Sequence, residues 1–146
     1  MKKVLFLLAA FFTMSATTLR ADDDKPIRVS QMPQAAQQFI KAHFPDSKVS
    51  LAKMDDGFLD KSYEVIFTNG TKVEFDKKGR WTEVNCKSVK VPNDVIPAAI
   101  RGNILRNYPS AKIVKIERQG KGYEVKLDTG LEVTYNSKLQ LVDIDD

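Results

Sequence analysis

Residues 63–75 read YEVIFTNGTKVEF and decide the fold, because they combine regularly spaced apolar side chains with a tight turn. Apolar residues recur at every second position on both sides of Asn69-Gly70. An Asn-Gly pair between two such runs is the strongest short signal for a β-hairpin. The segment therefore predicts two antiparallel strands that bury one of their faces.

The same pattern returns in residues 123–135, which read YEVKLDTGLEVTY. Shorter motifs recur upstream in the same order, Met32-Pro33 with Ile96-Pro97 and Phe44-Pro45 with Tyr108-Pro109. We therefore predict two repeats, residues 29–86 and 91–146, joined by a linker at 87–90. Two copies are too few for a solenoid, so we expect them to share one core within a single domain.

Each repeat opens with a helical pattern and continues with strands. Ser30 is the expected cap of the first helix, with Pro33 in its first turn, and Asn93 or Asp94 is the expected cap of the second. Four antiparallel strands follow each helix. The predicted fold class is α+β, in which two tandem helix-plus-strands repeats form one sheet system and both helices cover one face of it.

The N-terminus has the three-part plan of a secretory signal peptide. Lys2 and Lys3 precede an apolar run over residues 4–12, and we expect cleavage after Ala21. The alternative is an uncleaved anchor, but the run is shorter than the ~20 residues that span a bilayer. Residues 22–28 are predicted to be a flexible acidic N-terminus. We expect a periplasmic or secreted protein with no stable membrane insertion after cleavage.

The charge of the mature chain is close to balanced. The full chain carries 23 basic and 19 acidic residues and a net charge of +4. Loss of Lys2, Lys3 and Arg20 with the leader reduces this excess to +1. Such a balance gives no electrostatic signature of nucleic-acid binding, so we expect no nucleic-acid partner.

No residue set is spaced for a particular chemistry, so we predict neither enzymatic activity nor a cofactor. Cys86 and His43 are the only residues of their kinds and have no identifiable third partner for nucleophilic catalysis. A lone cysteine is most often a small buried apolar residue. The acidic segment 55–60 resembles part of a calcium loop, but it lacks the alternating ligands and the bidentate glutamate, so no metal site is predicted.

The motifs resemble those of the PepSY-like family of small exported bacterial proteins. They are the leader, the Val-Pro or Met-Pro opening of each helix, the Phe-Pro or Tyr-Pro step after it, and the Tyr-Glu-Val strand before an Asn-Gly or Thr-Gly turn. The family resembles the PepSY domain of peptidase propeptides and the tandem-repeat fold of the β-lactamase inhibitory protein. The resemblance implies helices on one face of a sheet and a binding module, not an enzyme. It implies no contact residues, because the inhibitor's disulfides and contact loops have no counterpart here.

Strand alternation nominates a binding surface on the face of the sheet opposite the helices. The alternation places eight side chains on this face: Glu64, Ile66, Lys72, Glu74, Glu124, Lys126, Glu132 and Thr134. Trp81 and its match Leu141 join this set if Thr82 and Val84 face the helices. In the other register Trp81 belongs to the core, where tryptophan is commonly buried. An exposed Trp81 would be a natural anchor for a partner.

Three functional hypotheses follow. The first is a binding or inhibitory module that recognises a protein, such as a peptidase or another envelope protein, through the open sheet face. The second is a carrier of a small ligand or peptide in a groove between the repeats. The third, catalysis, has no residue set in its favour. A solvated sheet face that meets no partner gives the same pattern of side chains.

Overall fold

A computed structural model describes residues 24–57 and 60–146, and the predicted leader and cleavage site lie outside them. Helix α1 is Gln34–His43 and helix α2 is Ala98–Asn107, and each follows a short 3-10 helix. The strands are β1 Asp24–Ile27, β2 Val49–Asp55, β3 Ser62–Phe67, β4 Lys72–Phe75, β5 Trp81–Asn85, β6 Ile113–Gln119, β7 Gly122–Leu127, β8 Glu132–Tyr135 and β9 Leu141–Asp145.

The strands form one nine-stranded sheet whose spatial order follows the chain from β1 to β9. All eight neighbouring pairs are antiparallel. Gly70 has a φ of +92° in the β3–β4 turn, a conformation that glycine adopts without strain. The predicted hairpin is therefore present, and the described part of the chain is α+β with two α-helices and an antiparallel sheet, as expected.

Apolar residues that face one another on neighbouring strands build the core. One row crosses the sheet from β2 to β8, and each of its members is at most 4% exposed. The row is Ala52, Val65, Val73, Val84, Ile116, Val125 and Val133. Side chains at alternating positions of a strand point to opposite faces, so their polar neighbours lie on the other side of the sheet.

Both helices contribute to this same core. Ile40 of α1 and Ile104 of α2 are buried in one cluster with the apolar row. Phe39 of α1 packs edge-on against Phe75, with ring centroids 5.7 Å apart. The core thus contains residues from both predicted repeats, since the β5–β6 pair joins them within the sheet.

The predicted helix caps are wrong. Ser30 and Asn93 lie in 3-10 helices, and the α-helices begin only after Pro33 and Pro97. The residue before each of these prolines has an extended backbone, because the proline ring disfavours the helical conformation there. Each proline therefore separates a short 3-10 turn from the α-helix that follows it.

The prediction that residues 22–28 are flexible is wrong for residues 24–27, which form strand β1. This strand pairs with β2 from Asp24–Asp55 to Ile27–Ala52. Ile27 also packs against the core, so an apolar contact adds to the backbone pairing. Only four residues pair and one of them is a proline, which explains why alternation did not identify the strand.

Trp81 lies in the core and not on the open face. A β-bulge between β4 and β5 shifts the register, so that Trp81 pairs with Phe75 while Val84 pairs with Val73. A bulge adds one residue to a strand and so turns Trp81 and Val84, three positions apart, to the same side. Trp81 is 9% exposed and belongs to the buried cluster. Its matched residue Leu141 has the same register on β9.

Candidate functional site

The side of the sheet opposite the core forms a continuous charged surface, which we call the outer face. Two rows of directly paired residues cross it from strand to strand. The first row is Lys53, Glu64, Glu74, Glu83, Glu117, Glu124, Thr134 and Asp143. The second is Leu51, Ile66, Lys72, Asn85, Lys115, Lys126, Glu132 and Asp145. Together they hold eight carboxylates and four lysines, so the outer face is acidic.

Five glutamates stand side by side on five adjacent strands, and we call them the glutamate row. Its members are Glu64, Glu74, Glu83, Glu117 and Glu124. Neighbouring strands lie about 4.8 Å apart, so the row extends for about 19 Å. Like charges directly opposite one another destabilise a sheet. The glutamate row is therefore an unfavourable arrangement for an isolated sheet.

Three lysines offset part of this repulsion. Lys72 Nζ lies 3.1 Å from Glu74 Oε2 and 3.9 Å from Glu83 Oε2. Lys53 contacts Glu64 at 3.6 Å, and Lys115 contacts Glu117 at 3.8 Å. Each lysine is partly exposed, and ion pairs of this kind contribute at most about 1 kcal/mol.

The pKa values of the outer face follow from this crowding. Burial raises the pKa of Glu83, and the charge of Glu74 raises it further against the opposing effect of nearby lysines. Burial and the charges of Glu132 and Glu117 raise the pKa of Glu124. Burial lowers the pKa of Lys72, but its hydrogen bond with Glu74 and the surrounding glutamates outweigh this and leave it raised. The glutamate row therefore favours the binding of positive charge.

The structure brings eight of the ten predicted site residues together on the outer face. They are Glu64, Ile66, Lys72, Glu74, Glu124, Lys126, Glu132 and Thr134. Trp81 and Leu141 lie on the core side instead, because each is turned inward at a bulge. Leu141 is nonetheless 38% exposed, since it lies on the edge strand β9.

Sequence reasoning missed Glu83, Lys115 and Glu117, which lie at the centre of the outer face. Glu83 follows the bulge that breaks the alternation of β5. Lys115 and Glu117 flank Ile116 on β6, a strand that was identified only by its apolar residues. The alternation of Lys115, Ile116 and Glu117 could have identified them, but their pairing with β5 has no local turn to reveal it.

The carrier hypothesis gains no specific support. Where the two predicted repeats meet, Val84 and Ile116 face each other and neither is exposed. A cavity of about 550 Å³ opens beside the β4–β5 turn, but its lining belongs wholly to the first predicted repeat, between Asp60 and Thr82. It therefore does not lie between the repeats.

The residues considered for catalysis or metal binding stay apart from one another. Cys86 is buried, and burial raises the pKa of its thiol despite a hydrogen bond with Thr71. His43 Nδ1 lies 3.3 Å from Asp94 Oδ1, without hydrogen-bond geometry. Within residues 24–57 and 60–146, no three His, Cys, Asp or Glu side chains are grouped to hold a metal ion.

Comparison with known proteins places this architecture in a family. Residues 61–143 match the family described as "Putative beta-lactamase-inhibitor-like, PepSY-like". The chain belongs to the PepSY-like family. This membership confirms the resemblance inferred from the helix-opening and strand motifs. No protein with a curated description is significantly similar to the chain.

Solved PepSY-like relatives share nearly their whole length with this chain. A "putative calcium-regulated periplasmic protein" of Bacteroides thetaiotaomicron is 64% identical, with a TM-score of 0.84 over 86% of this chain and 99% of its own. A "putative periplasmic protein" of Bacteroides vulgatus is 59% identical, with a TM-score of 0.83 over 86% and 99%. A second protein of that species, "of unknown function", is 40% identical, with a TM-score of 0.79 over 84% and 99%.

These relatives are described as periplasmic proteins, and none is described as an enzyme. In the described part of the chain, neither helix has the length and apolar composition needed to cross a bilayer.

Proposed function

We propose that this PepSY-like protein is a periplasmic binding module that recognises another protein through the outer face. The glutamate row carries the proposal. A sheet face that only met solvent would be more stable with opposite charges paired across its strands. Retaining a destabilising arrangement is typical of functional surfaces, where stability is lost in favour of recognition.

The charge of the outer face selects a partner of basic character. Eight carboxylates and four lysines leave a net negative surface, and Lys72 and Lys115 are already engaged with neighbouring glutamates. Complementary charge accelerates association and excludes wrong partners. Ile66 adds an apolar contact beside the charges, a mixture typical of non-obligate interfaces. We therefore expect a partner surface rich in lysine and arginine with apolar residues among them.

We also infer that the chain is built from two tandem repeats with both helices on one side of the sheet. The order of one helix and four strands occurs twice, with the same bulge near the start of the last strand of each set. Phe39 of α1 packs on Phe75, and Asn103 of α2 accepts a 2.7 Å hydrogen bond from the Tyr135 hydroxyl. Phe75 and Tyr135 occupy matching positions in β4 and β8, which supports matching helix positions. Among the described elements, both helices then leave the opposite side of the sheet uncovered.

Photo-crosslinking in the native cells tests the proposed surface. A benzophenone amino acid is placed at Ile66 or Thr134 on the outer face, and at Leu105 on α2 as a control that is 66% exposed. We expect the two outer-face positions to crosslink to the same protein and the Leu105 position to leave it unlabelled. Crosslinks that come mainly from Leu105, or none from either outer-face position, would contradict the proposal.

A further inference from the structure

Strand β9 ends the sheet with apolar side chains that the described residues leave partly exposed. The apolar row that is buried from Ala52 to Val133 continues to Ile144, which is 46% exposed. Leu141, also turned toward the core side, is 38% exposed. In the part of the chain that the structure describes, no strand pairs with the outer side of β9. This edge therefore combines unpaired backbone groups with exposed apolar residues, as edges that accept another strand do.

Strand β5 shows within the same molecule how such an edge is covered. Trp81 and Val84 correspond to Leu141 and Ile144, because each pair flanks the same bulge and has the same pairing with the preceding strand. Trp81 is 9% exposed and Val84 is fully buried. The difference arises because β6 pairs with β5, whereas β9 lacks an equivalent neighbour among the described strands.

Three residues of β6 determine how it covers the edge of β5. Ile116 faces Val84 and is fully buried. Arg118, two positions further, lies 4.1 Å from the centre of the Trp81 ring and donates a 2.8 Å hydrogen bond from Nε to the Trp81 carbonyl. Lys115 precedes Ile116 on the outer face. A strand that covers this type of edge therefore has, at four consecutive positions, a lysine, an apolar residue, any residue and an arginine.

The negative charge of β9 indicates which type of residue belongs at the third position of this pattern. Asp143 and Asp145 lie on the outer face, with Asp145 paired to Glu132. A basic residue at the position of Glu117 would face Asp143 as the new strand docks. Two β9 strands from separate copies would instead bring their aspartates together, which disfavours a second copy as the occupant. At the other end of the sheet, Pro26 on β1 lacks an N–H group and protects that edge.

We propose that β9 is a docking edge for an extended strand of another protein that carries the pattern lysine, apolar residue, lysine, arginine. The strand pairs with β9 as β6 pairs with β5, its apolar residue covers Ile144 and its arginine covers Leu141. Leu141 and Ile144 lie on the core side, away from the glutamate row, so their replacement tests the β9 edge separately from an outer-face partner.

The probe is a fluorescent peptide, IVKIKRQ, which is the β6 sequence with Glu117→Lys. We expect the mature chain to bind it and the affinity to fall at high salt, with amide NMR shifts confined to β8 and β9. A control peptide that also carries Ile116→Asp should bind at least tenfold more weakly. Absence of binding at millimolar peptide, or shifts centred away from β9, would overturn the proposal.

Variants of the chain separate this edge from other surfaces. Ile144→Lys should weaken peptide binding at least tenfold, while Leu105→Lys on α2 and Asp46→Asn outside the sheet leave it unchanged. If Ile144→Lys does not fold, the milder change Ile144→Thr supplies the same test through lost affinity, because Ile144 lies on the core side and is 46% exposed. Unchanged binding in these edge variants would overturn the proposal. So would a dimer in sedimentation that Ile144→Lys dissociates, because the occupant would then be a second copy.

Discussion

At the scale of single residues, the turn between β4 and β5 fixes how the sheet meets helix α1. Trp81 packs near Phe39 of α1, with ring centroids 6.4 Å apart, and near Tyr123 at 6.3 Å. Gly79 has a φ of +85°, and a Cβ atom there would lie 2.8 Å from Pro33 Cβ. These contacts join the turn, the helix and the second half of the sheet at one place.

Replacement of Trp81 by alanine should reduce the free energy of unfolding by about 3–5 kcal/mol, as for other buried aromatic residues. Leu141→Ala is the matched control, because Leu141 has the same register but is 38% exposed, and should cost less than about 1 kcal/mol. Urea denaturation measures both. The emission of Trp81, the only tryptophan, should be blue-shifted and resist iodide quenching. Emission at the wavelength of free indole would place Trp81 on the surface and contradict this account.

Gly79→Ala should destabilise the protein more than Gly130→Ala. Both glycines have positive φ angles, +85° and +98°, so both alanines incur backbone strain. Only Gly79 also lacks space for a Cβ, since Ala36 N would lie 2.9 Å from it, whereas nothing lies within 4 Å at Gly130. We expect an additional loss of at least about 1 kcal/mol at Gly79 in chemical denaturation. Equal losses for the two variants would show that the turn and α1 are not in close contact.

At the scale of elements, the hairpin that a local turn and alternation specify could be predicted from the sequence. The bulge in β5 and the pairing of β5 with β6 could not. Alternation and Asn69-Gly70 predicted the β3–β4 hairpin, because neighbouring strands and a short turn specify their own register. The bulge between Trp81 and Glu83 could not be predicted in the same way, since one extra residue reverses the side to which the following residues of the strand point. The glutamate row depends on the pairing of Glu83 with Glu117, which no turn connects. Sequence alone therefore identified the outer face but missed its centre.

Removal of the Glu83 charge should stabilise the protein at neutral pH. Because the pKa of Glu83 is raised in the folded state, its contribution to stability is greatest below the ordinary glutamate pKa and is lost as the pH rises through the folded value. Glu83→Gln should therefore raise the free energy of unfolding by about 0.5 kcal/mol at pH 7, and the gain should vanish near pH 4. Glu64→Gln is the control variant, because it removes another charge of the glutamate row together with that residue's ion pair with Lys53. Destabilisation by Glu83→Gln at pH 7 would show that the glutamate row is not repulsive.

At the scale of the whole molecule, the two halves complete one another. Val84 on β5 and Ile116 on β6 face each other at the junction, and both are fully buried. Arg118 of the second half covers Trp81 of the first. Neither half could bury these residues alone, and units of this size are marginally stable by themselves.

Residues 22–88, expressed without the second half, should therefore lack a cooperative thermal transition. Addition of residues 89–146 should restore it, because the β5–β6 pair can form between fragments. Circular dichroism melting measures both states, and the intact chain provides the reference. A cooperative melt of residues 22–88 alone, at the temperature of the intact chain, would mean that the halves do not depend on a shared core.

The central claim is that the glutamate row binds a basic protein, and the affinity of matched variants tests it most directly. The partner captured from Ile66 and Thr134 is purified and titrated with the intact chain, with a Glu83→Gln and Glu117→Gln double variant, and with Asp46→Asn, an exposed acid outside the sheet. We predict that the double variant binds at least tenfold more weakly and with a shallower salt dependence, whereas Asp46→Asn binds as the intact chain does. Equal affinities for the double variant and the intact chain would contradict the claim.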